Sequence, residues 1–111
     1  MKIVIPVTPD GQVDPRWGRA PRVAVATVND GSITDWQEHA VGWDVLHDEG
    51  TEGSHHARVV RFLREQGIDA VVARGMGGGM AHTISRMGLP ILPAPDPDAR
   101  TAVVRAVAGQ G

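Results

Sequence analysis

The sequence predicts an α/β domain built on a mixed five-stranded sheet, and two features of the chain indicate this class. The first half carries three β-rich segments, two of which flank a hairpin signal at Asn29-Asp30-Gly31. The second half alternates short apolar segments with amphipathic helical ones, which is typical of parallel strands joined by helices. We therefore expect an antiparallel meander followed by parallel strands, with right-handed crossovers and helices on both faces of the sheet.

The amino-terminal half is predicted to contain three strands and two polar loops. Asn, Asp and Gly tolerate positive φ, so residues 29–31 favour a tight turn between two antiparallel strands. Residues 10–21, rich in Gly, Pro, Asp and Arg, are predicted as a surface loop, and the acidic stretch 41–53 as a mobile one. The predicted strands are Lys2–Val7, Arg22–Val28 and Ser32–Ala40.

Helices and short strands are predicted to alternate in the carboxyl-terminal half. Ser54 has the residue type of an N-cap, and Gly67 is a natural stop just beyond the end of the same helix. Val59, Val60 and Leu63 form its apolar stripe. The remaining elements are strand Asp69–Ala73, a glycine-rich turn at Gly75–Gly79, a helix to Gly88, strand Leu89–Leu92, and a helix to Ala108 capped by Asp96 or Asp98.

Bulk composition narrows the functional classes. A length of 111 residues predicts one domain over 1–111, and the chain has no apolar run near the roughly 20 residues of a membrane helix. The start is interpreted as a strand, not a signal peptide, and the protein as cytoplasmic. The absence of cysteine excludes disulfides, thiolate nucleophiles and cysteine-ligated zinc or iron–sulfur sites. A net charge of −2 argues against a dedicated nucleic-acid binder.

Two adjacent histidines open the first long helix and are predicted metal ligands. The positive end of a helix dipole disfavours an imidazolium, by roughly 0.3–1 kcal/mol at exposed sites, and the neutral imidazole is the form that ligates metal. His55 and His56 are therefore candidates, with His47 from the preceding loop as a third. In the alternative interpretation, His56 packs in line with Val60 and Leu63 while His55 faces solvent.

A second candidate is the glycine-rich turn, which follows a strand and precedes a helix. Open α/β sheets bind ligands at the carboxyl ends of their strands, and glycines let backbone N–H groups approach an anion. The turn is not a Walker A loop and lacks a dinucleotide fingerprint. In the alternative interpretation, the turn simply needs glycine and Met76 is core. The predicted cofactor-binding residues here are Gly75, Met76, Gly77 and Gly78.

The loop before the second strand supplies an arginine and a tryptophan. Both are predicted cofactor-binding residues: Arg19 would attract an anionic cargo despite the negative net charge, and Trp17 would contribute as a core or lid aromatic and not as a stacking platform. Helical angle places His82 away from the apolar stripe of its helix, so we expect it to face solvent; whether His39 or His82 takes part stays open. Three further arginines would complete a basic rim: Arg16, Arg22 and Arg74.

Three stretches occur in order along nearly the whole chain. They are Gly11–Asp14 with Trp17-Gly18-Arg19-Ala20, then Gly67–Ala73, then Gly75–Gly78 with a helix ending in Gly88-Leu89-Pro90-Ile91. Together they resemble the dinitrogenase iron–molybdenum cofactor biosynthesis family, the NifX-type nitrogenase accessory domain. The resemblance implies a ribonuclease H-like three-layer fold with a five-stranded mixed sheet. The pair His55-His56 lies outside the family pattern.

The function that this resemblance implies is that of an accessory protein without covalent catalysis. Its cargo would be an iron–sulfur or iron–molybdenum cluster precursor, or a single transition-metal ion, exchanged with a metallocluster donor or acceptor protein. No serine sits in a nucleophile elbow, and strand Lys2–Val7 lacks the carboxylates of a metal-dependent nuclease. The alternative is a non-metal regulatory module that binds a small anionic ligand at Gly75–Gly79. The edge of strand Ser32–Ala40 offers a surface for a homodimer.

Overall fold

Five strands form one mixed sheet in the order β3-β2-β1-β4-β5. β1 pairs antiparallel with β2, β2 antiparallel with β3, and β1, β4 and β5 run parallel. The structure, a computed structural model, describes residues 1–109 except for the side chain of Glu52. Its elements are β1 (Lys2–Pro6), β2 (Val23–Asn29), β3 (Ser32–His39), α1 (Trp43–Leu46), α2 (Glu52–Glu65), β4 (Ala70–Ala73), α3 (Gly78–Arg86), β5 (Ile91–Pro93) and α4 (Ala99–Ala108). The predicted five-stranded mixed α/β sheet is confirmed.

The predicted hairpin joins β2 to β3 through a two-residue turn. Asn29 pairs with Ser32, and Asp30 and Gly31 between them have φ of 52° and 78°. Two successive left-handed residues match the right-handed twist of the flanking strands, which is why this dipeptide type favours hairpins. Pairing is irregular after Thr27, where the register shifts, and β3 is left as one edge of the sheet.

Alternation along the strands divides the core into two layers. Ile3 and Ile5 of β1 face the layer beneath α4, whereas Val4 faces the layer beneath α2 and α3. Successive side chains of a strand point to opposite faces, so a central strand buried on both sides is apolar throughout. Helices therefore cover both faces of the sheet, as expected. The helical residues buried in these layers are Ala99, Ala102 and Val103 on one face and Val59, Leu63, Met80 and Ile84 on the other.

The loop after β1 is held closely against the fold. Val13 N–H donates to the Pro97 carbonyl at 2.8 Å, and Asp14 N–H donates to the Pro6 carbonyl at 2.9 Å. Trp17 is only 6% exposed. The prediction of a surface loop over 10–21 was therefore wrong for its centre, because apolar side chains and backbone hydrogen bonds bury it.

The stretch 41–53, predicted as one mobile loop, contains α1 and the start of α2. Its anchor is Trp43, which is 2% exposed and packs edge-on to Trp17 and Phe62. A buried indole contributes a large apolar area, and the polar residues around Trp43 in the sequence give no indication of this burial. The last strand also begins later than predicted, at Ile91, and ends at Pro93.

Ser54 is not the N-cap of α2; Thr51 is. Thr51 Oγ1 accepts from Ser54 N–H at 3.1 Å, and Ser54 Oγ accepts from Thr51 N–H at 3.1 Å. This is a reciprocal capping box with serine in the place usually held by Glu or Gln. The last helix is capped by Asp98, one of the two predicted residues.

Among residues 1–109, the helices are all too short or too polar to cross a lipid bilayer.

Replacing Thr51 by alanine is expected to lower the free energy of unfolding by about 1 kcal/mol, because the Ser54 N–H at the start of α2 loses its side-chain acceptor. Urea denaturation measures the loss. The matched control is Ser32→Ala on exposed β3, which we expect to change stability by less than about 0.5 kcal/mol. Equal effects of the two substitutions would contradict the capping assignment.

Candidate functional site

A cavity of about 310 Å³ opens at the edge of the sheet where β1 and β4 end. Three segments meet there: the loop after β1, the start of α2 with the loop before it, and the start of α3. Because β1 and β4 are parallel, the segments that follow them emerge at the same edge. The lining residues are Trp17, Gly18, Arg19, His47, His55, His56, Gly77, Gly78, Gly79 and Met80.

His55 is 1% exposed and bridges two of these segments through both ring nitrogens. Its Nε2 lies 2.7 Å from the Gly18 carbonyl oxygen, and its Nδ1 lies 2.9 Å from Nη1 of Arg58. A guanidinium only donates, so Nδ1 accepts and the proton sits on Nε2, which donates to Gly18. Arg58 also donates to the Leu46 carbonyl at 3.2 Å. One side chain thus joins α2 to the loop after β1.

The pKa of His55 is held below its ordinary value of 6.5, chiefly by burial of the ring. The hydrogen bond to Gly18 acts in the opposite direction, and the charges of His47, Arg58 and His56 lower the pKa further. The buried imidazole is therefore neutral at physiological pH, as the sequence predicted from the helix dipole. The dominant cause is different, since desolvation outweighs the other influences.

With both nitrogens engaged, His55 presents no free lone pair to a metal in this arrangement. Its predicted role as a ligand would require one of the two hydrogen bonds to be given up. The alternative interpretation assigned burial to His56 and solvent to His55, and this was wrong. His55 lies four residues before Val59 and joins the buried stripe of α2, while His56 is half-buried at the cavity.

His47 lies at the same cavity and has a different hydrogen-bond setting. Its Nδ1 is 3.4 Å from Oδ1 of Asp48, and that oxygen is 3.9 Å from Nη2 of Arg19. A carboxylate accepts, so Nδ1 donates and Nε2 keeps its lone pair, which is the tautomer that a carboxylate partner selects in metal-ligating histidines. The ring of His47 meets that of His55 at 5.0 Å between centroids. The ion pair between Arg19 and Asp48 is exposed, so it orients the Asp48 carboxylate and contributes little to stability.

The start of α3 forms another wall. Its N-cap, Gly77, makes no side-chain hydrogen bond, so the first N–H groups of the helix have no side-chain acceptor. A β-carbon placed on Gly77 or Gly78 would meet nothing within 4 Å. These two glycines therefore leave open space at the cavity and are not required by close packing. The end of the helix that faces the cavity carries partial positive charge.

Trp17 lines the cavity with a buried indole. Its ring stands edge-on to Trp43 at 5.5 Å, and its Nε1 is buried without a hydrogen-bond partner among the described residues. A buried donor without a partner is costly unless something accepts from it. The predicted core position of Trp17 is confirmed.

The structure does not bring the other predicted cofactor-binding residues to the cavity. Gly75 and Met76 lie outside its lining, and Met76 packs against the core layer beneath α2 and α3. A β-carbon on Gly75 would stand 3.7 Å from the Pro15 carbonyl, which is an ordinary van der Waals distance, so close packing does not require glycine here. The alternative interpretation is confirmed for Met76, which packs in the core, and its claim that the turn needs glycine is not supported at Gly75.

The predicted basic rim is reduced to Arg19. Arg16 forms a bidentate pair with Asp14, with contacts of 3.0 and 2.8 Å, and Arg22 lies 3.5 Å from Glu38. The Arg16 guanidinium lowers the pKa of the buried Asp14 carboxyl, chiefly through these side-chain hydrogen bonds. These arginines stabilise the structure around the site and do not line it. Arg74 is exposed and also lies outside the lining.

The two histidines left open lie away from the cavity. His82 is exposed, as predicted, and His39 packs edge-on to Phe62 at 5.4 Å. Sequence reasoning missed Gly18 and Arg58. The helical spacing of Arg58, three residues after His55, was a signal for their contact. Gly18 has a left-handed φ of 84°, and the only signal for it in the sequence was a glycine between Trp17 and Arg19.

No three side chains of His, Asp or Glu within residues 1–109, with the side chain of Glu52 set aside, are grouped so as to hold a metal ion. Of the three histidines that line the cavity, His55 has both ring nitrogens engaged within the protein.

The chain belongs to the dinitrogenase iron–molybdenum cofactor family, whose model matches residues 1–109. This confirms the resemblance seen in the sequence. No curated protein matches the chain.

Several solved structures share the fold. PH0822 is 16% identical, with a TM-score of 0.74, covering 99% of this chain and 92% of its own. The apo form of the orange protein from Desulfovibrio gigas is 18% identical, with a TM-score of 0.71 and coverages of 98% and 88%. MJ0327 from Methanocaldococcus jannaschii is 13% identical, with a TM-score of 0.69 and coverages of 99% and 90%. At these identities the likeness establishes the fold.

Lowering the pH below about 6.5 is expected to destabilise the protein through His55. The unfolded imidazole then binds a proton that the buried one, with its lowered pKa, still excludes. The free energy of unfolding therefore falls as the pH drops from 6.5 towards the native pKa, and this contribution is constant above 6.5. Urea unfolding over a pH series measures it. His55→Gln should flatten the slope and the exposed His82→Gln should not; equal slopes in both variants would contradict the assignment.

Gly18→Ala is expected to lower the free energy of unfolding by about 1–2 kcal/mol, because alanine is strained in the left-handed conformation that positions the carbonyl for His55. Gly77→Ala lines the same cavity but has φ of −62° and open space around it. We expect it to change stability by less than about 0.5 kcal/mol. Denaturant melts of the two variants compare them directly, and a larger loss for Gly77→Ala would refute the argument.

Proposed function

We propose that this protein binds and carries a metal cofactor, in the form of an iron–sulfur or iron–molybdenum cluster precursor, as an accessory protein that does no covalent chemistry. The observation that carries the proposal is the shared opening of His47, His56 and the uncapped start of α3. Membership of the dinitrogenase iron–molybdenum cofactor family supports it.

Each wall of the cavity has a role in this proposal. His47, held through Nδ1 by Asp48, presents Nε2 as a ligand, and His56 supplies the second imidazole. His55 is a positioning residue, since its hydrogen bonds hold the walls together. Arg19 and the N–H groups at the start of α3 complement the negative charge of the cargo.

The small number of protein ligands favours a cluster over a single transition-metal ion. A structural zinc ion takes four protein ligands and a catalytic one takes three. Two imidazoles among N–H donors instead suit an anionic cargo of several atoms that brings its own ligands. Few bonds also permit release to a metallocluster acceptor protein.

Two groups that could act in catalysis near the cavity are already engaged within the protein. His55 cannot serve as a general base while Nδ1 accepts from Arg58. The hydroxyl of Ser54 is committed to the capping box and donates to the Thr51 carbonyl at 2.8 Å. These commitments support the non-enzymatic role.

Three further expectations belong to the proposal: the ribonuclease H-like fold, the cytoplasmic location and the homodimer. The strand order and the antiparallel meander support the ribonuclease H-like description implied by the family resemblance. Location in the cytoplasm and pairing of edge strand β3 in a homodimer stay predictions.

A second candidate is a regulatory module that binds a small anion at the start of α3. It is favoured by the uncapped helix end beside Arg19, which suits a phosphate or carboxylate without any metal.

Anaerobic reconstitution with iron and sulfide, or with molybdate and sulfide, is expected to give a metal-dependent absorption band. The double variant His47→Ala/His56→Ala should reduce bound metal to the background level, because it removes both ligands. The matched control, His39→Ala/His82→Ala, removes two imidazoles outside the cavity and should retain the band. Elemental analysis and absorption spectra check both.

Equal metal content in the two double variants would contradict the proposal that a metal cofactor is carried at this site. Thermal stabilisation of metal-free protein by inorganic phosphate, lost in Arg19→Ala, together with no retained metal, would favour the second candidate instead.

A further inference from the structure

A groove runs along the outer surface between α2 and α3, beside the cavity already described. It consists of two adjoining depressions of about 530 and 380 Å³ that share Val60, Arg64 and Thr83. Arg61 lines one depression and Arg86 the other. The groove takes no part in the proposed function as described so far.

The groove is cationic although the chain is not. Arg61, Arg64 and Arg86 are exposed, and none of their guanidinium groups forms an ion pair with a described side chain. Among the described side chains, Glu65 is the one acidic residue in the lining, set against three arginines and the exposed His82. In a chain of net charge −2, this concentration creates a local positive field.

An apolar strip lies between the charges. Val60 and Met87 are half-buried and line the same depression, and the exposed Ala57 extends the strip along α2, three residues before Val60. Partly exposed aliphatic surface flanked by guanidinium groups is complementary to a segment with apolar residues on one side and carboxylates on the other.

The groove adjoins the cavity, because His56 lines both. A segment lying at this end of the groove would therefore lie beside a residue of the cavity wall.

We propose that the groove between α2 and α3 docks an acidic, amphipathic segment of a protein partner. That this partner delivers or receives the cargo rests on the proposed function; the docking itself does not. A protein is favoured over a nucleic acid because the floor is apolar and the rest of the chain lacks the basic excess of a nucleic-acid binder.

Binding of a fluorescein-labelled synthetic peptide of alternating glutamate and leucine blocks, measured by fluorescence anisotropy on the metal-free full chain, tests the docking. Arg61→Glu/Arg64→Glu/Arg86→Glu should weaken binding by about tenfold or more, and added salt should weaken wild-type binding. The control Arg22→Glu/Arg100→Glu/Arg105→Glu makes the same charge change away from the groove and should bind within about twofold of wild type.

Equal weakening by the two triple variants would overturn the proposal, as would tighter binding of a single-stranded oligonucleotide of matched charge. Circular dichroism verifies folding; if the reversal variant is unfolded, the corresponding Arg→Gln triple variant replaces it and should still weaken binding. The metal-reconstitution experiment tests the proposed function separately. If reconstitution fails but the peptide binds at the groove, the proposed function is contradicted and the docking surface is supported. If the protein binds metal but peptide binding does not depend on the three arginines, the docking surface is contradicted and the proposed function is supported.

Discussion

The buried hydrogen bond between His55 and Gly18 is the contact on which the site depends. It joins the first turn of α2 to the loop after β1, and Arg58 extends it to the end of α1. Burial lowers the pKa of the ring, so the imidazole stays neutral and keeps the one tautomer that satisfies both partners. The same feature that makes His55 an effective brace removes it from the set of available ligands.

Around this brace, the sheet topology gathers segments that are far apart in sequence. β1 and β4 are parallel neighbours, so the loop carrying Trp17 to Arg19 and the glycine turn before α3 emerge together. His47 arrives through α1, whose buried Trp43 packs between Trp17 and Phe62. The cavity and the cationic groove share one residue, His56, so the proposed cargo site and the proposed docking surface adjoin.

Much of this architecture could be predicted because its causes are local. The Asp30-Gly31 turn requires positive φ, alternating apolar residues define the strands, and Gly67 ends α2 with φ of 64°. The three walls of the cavity were also predictable, since loops after parallel strands meet at one edge. Family membership was evident from three ordered motifs and is confirmed over residues 1–109.

The sequence by itself determined the antiparallel meander, the parallel strands that follow it, the hairpin, the approximate helices and the segments from which a cavity would be built. Only the tertiary structure decided what the two neighbouring imidazoles contact. Adjacent residues on a helix differ by about 100° in direction, so His55 faces inward and meets Gly18 while His56 lies at the cavity. That choice depends on contacts across 37 residues of chain, which no local pattern encodes.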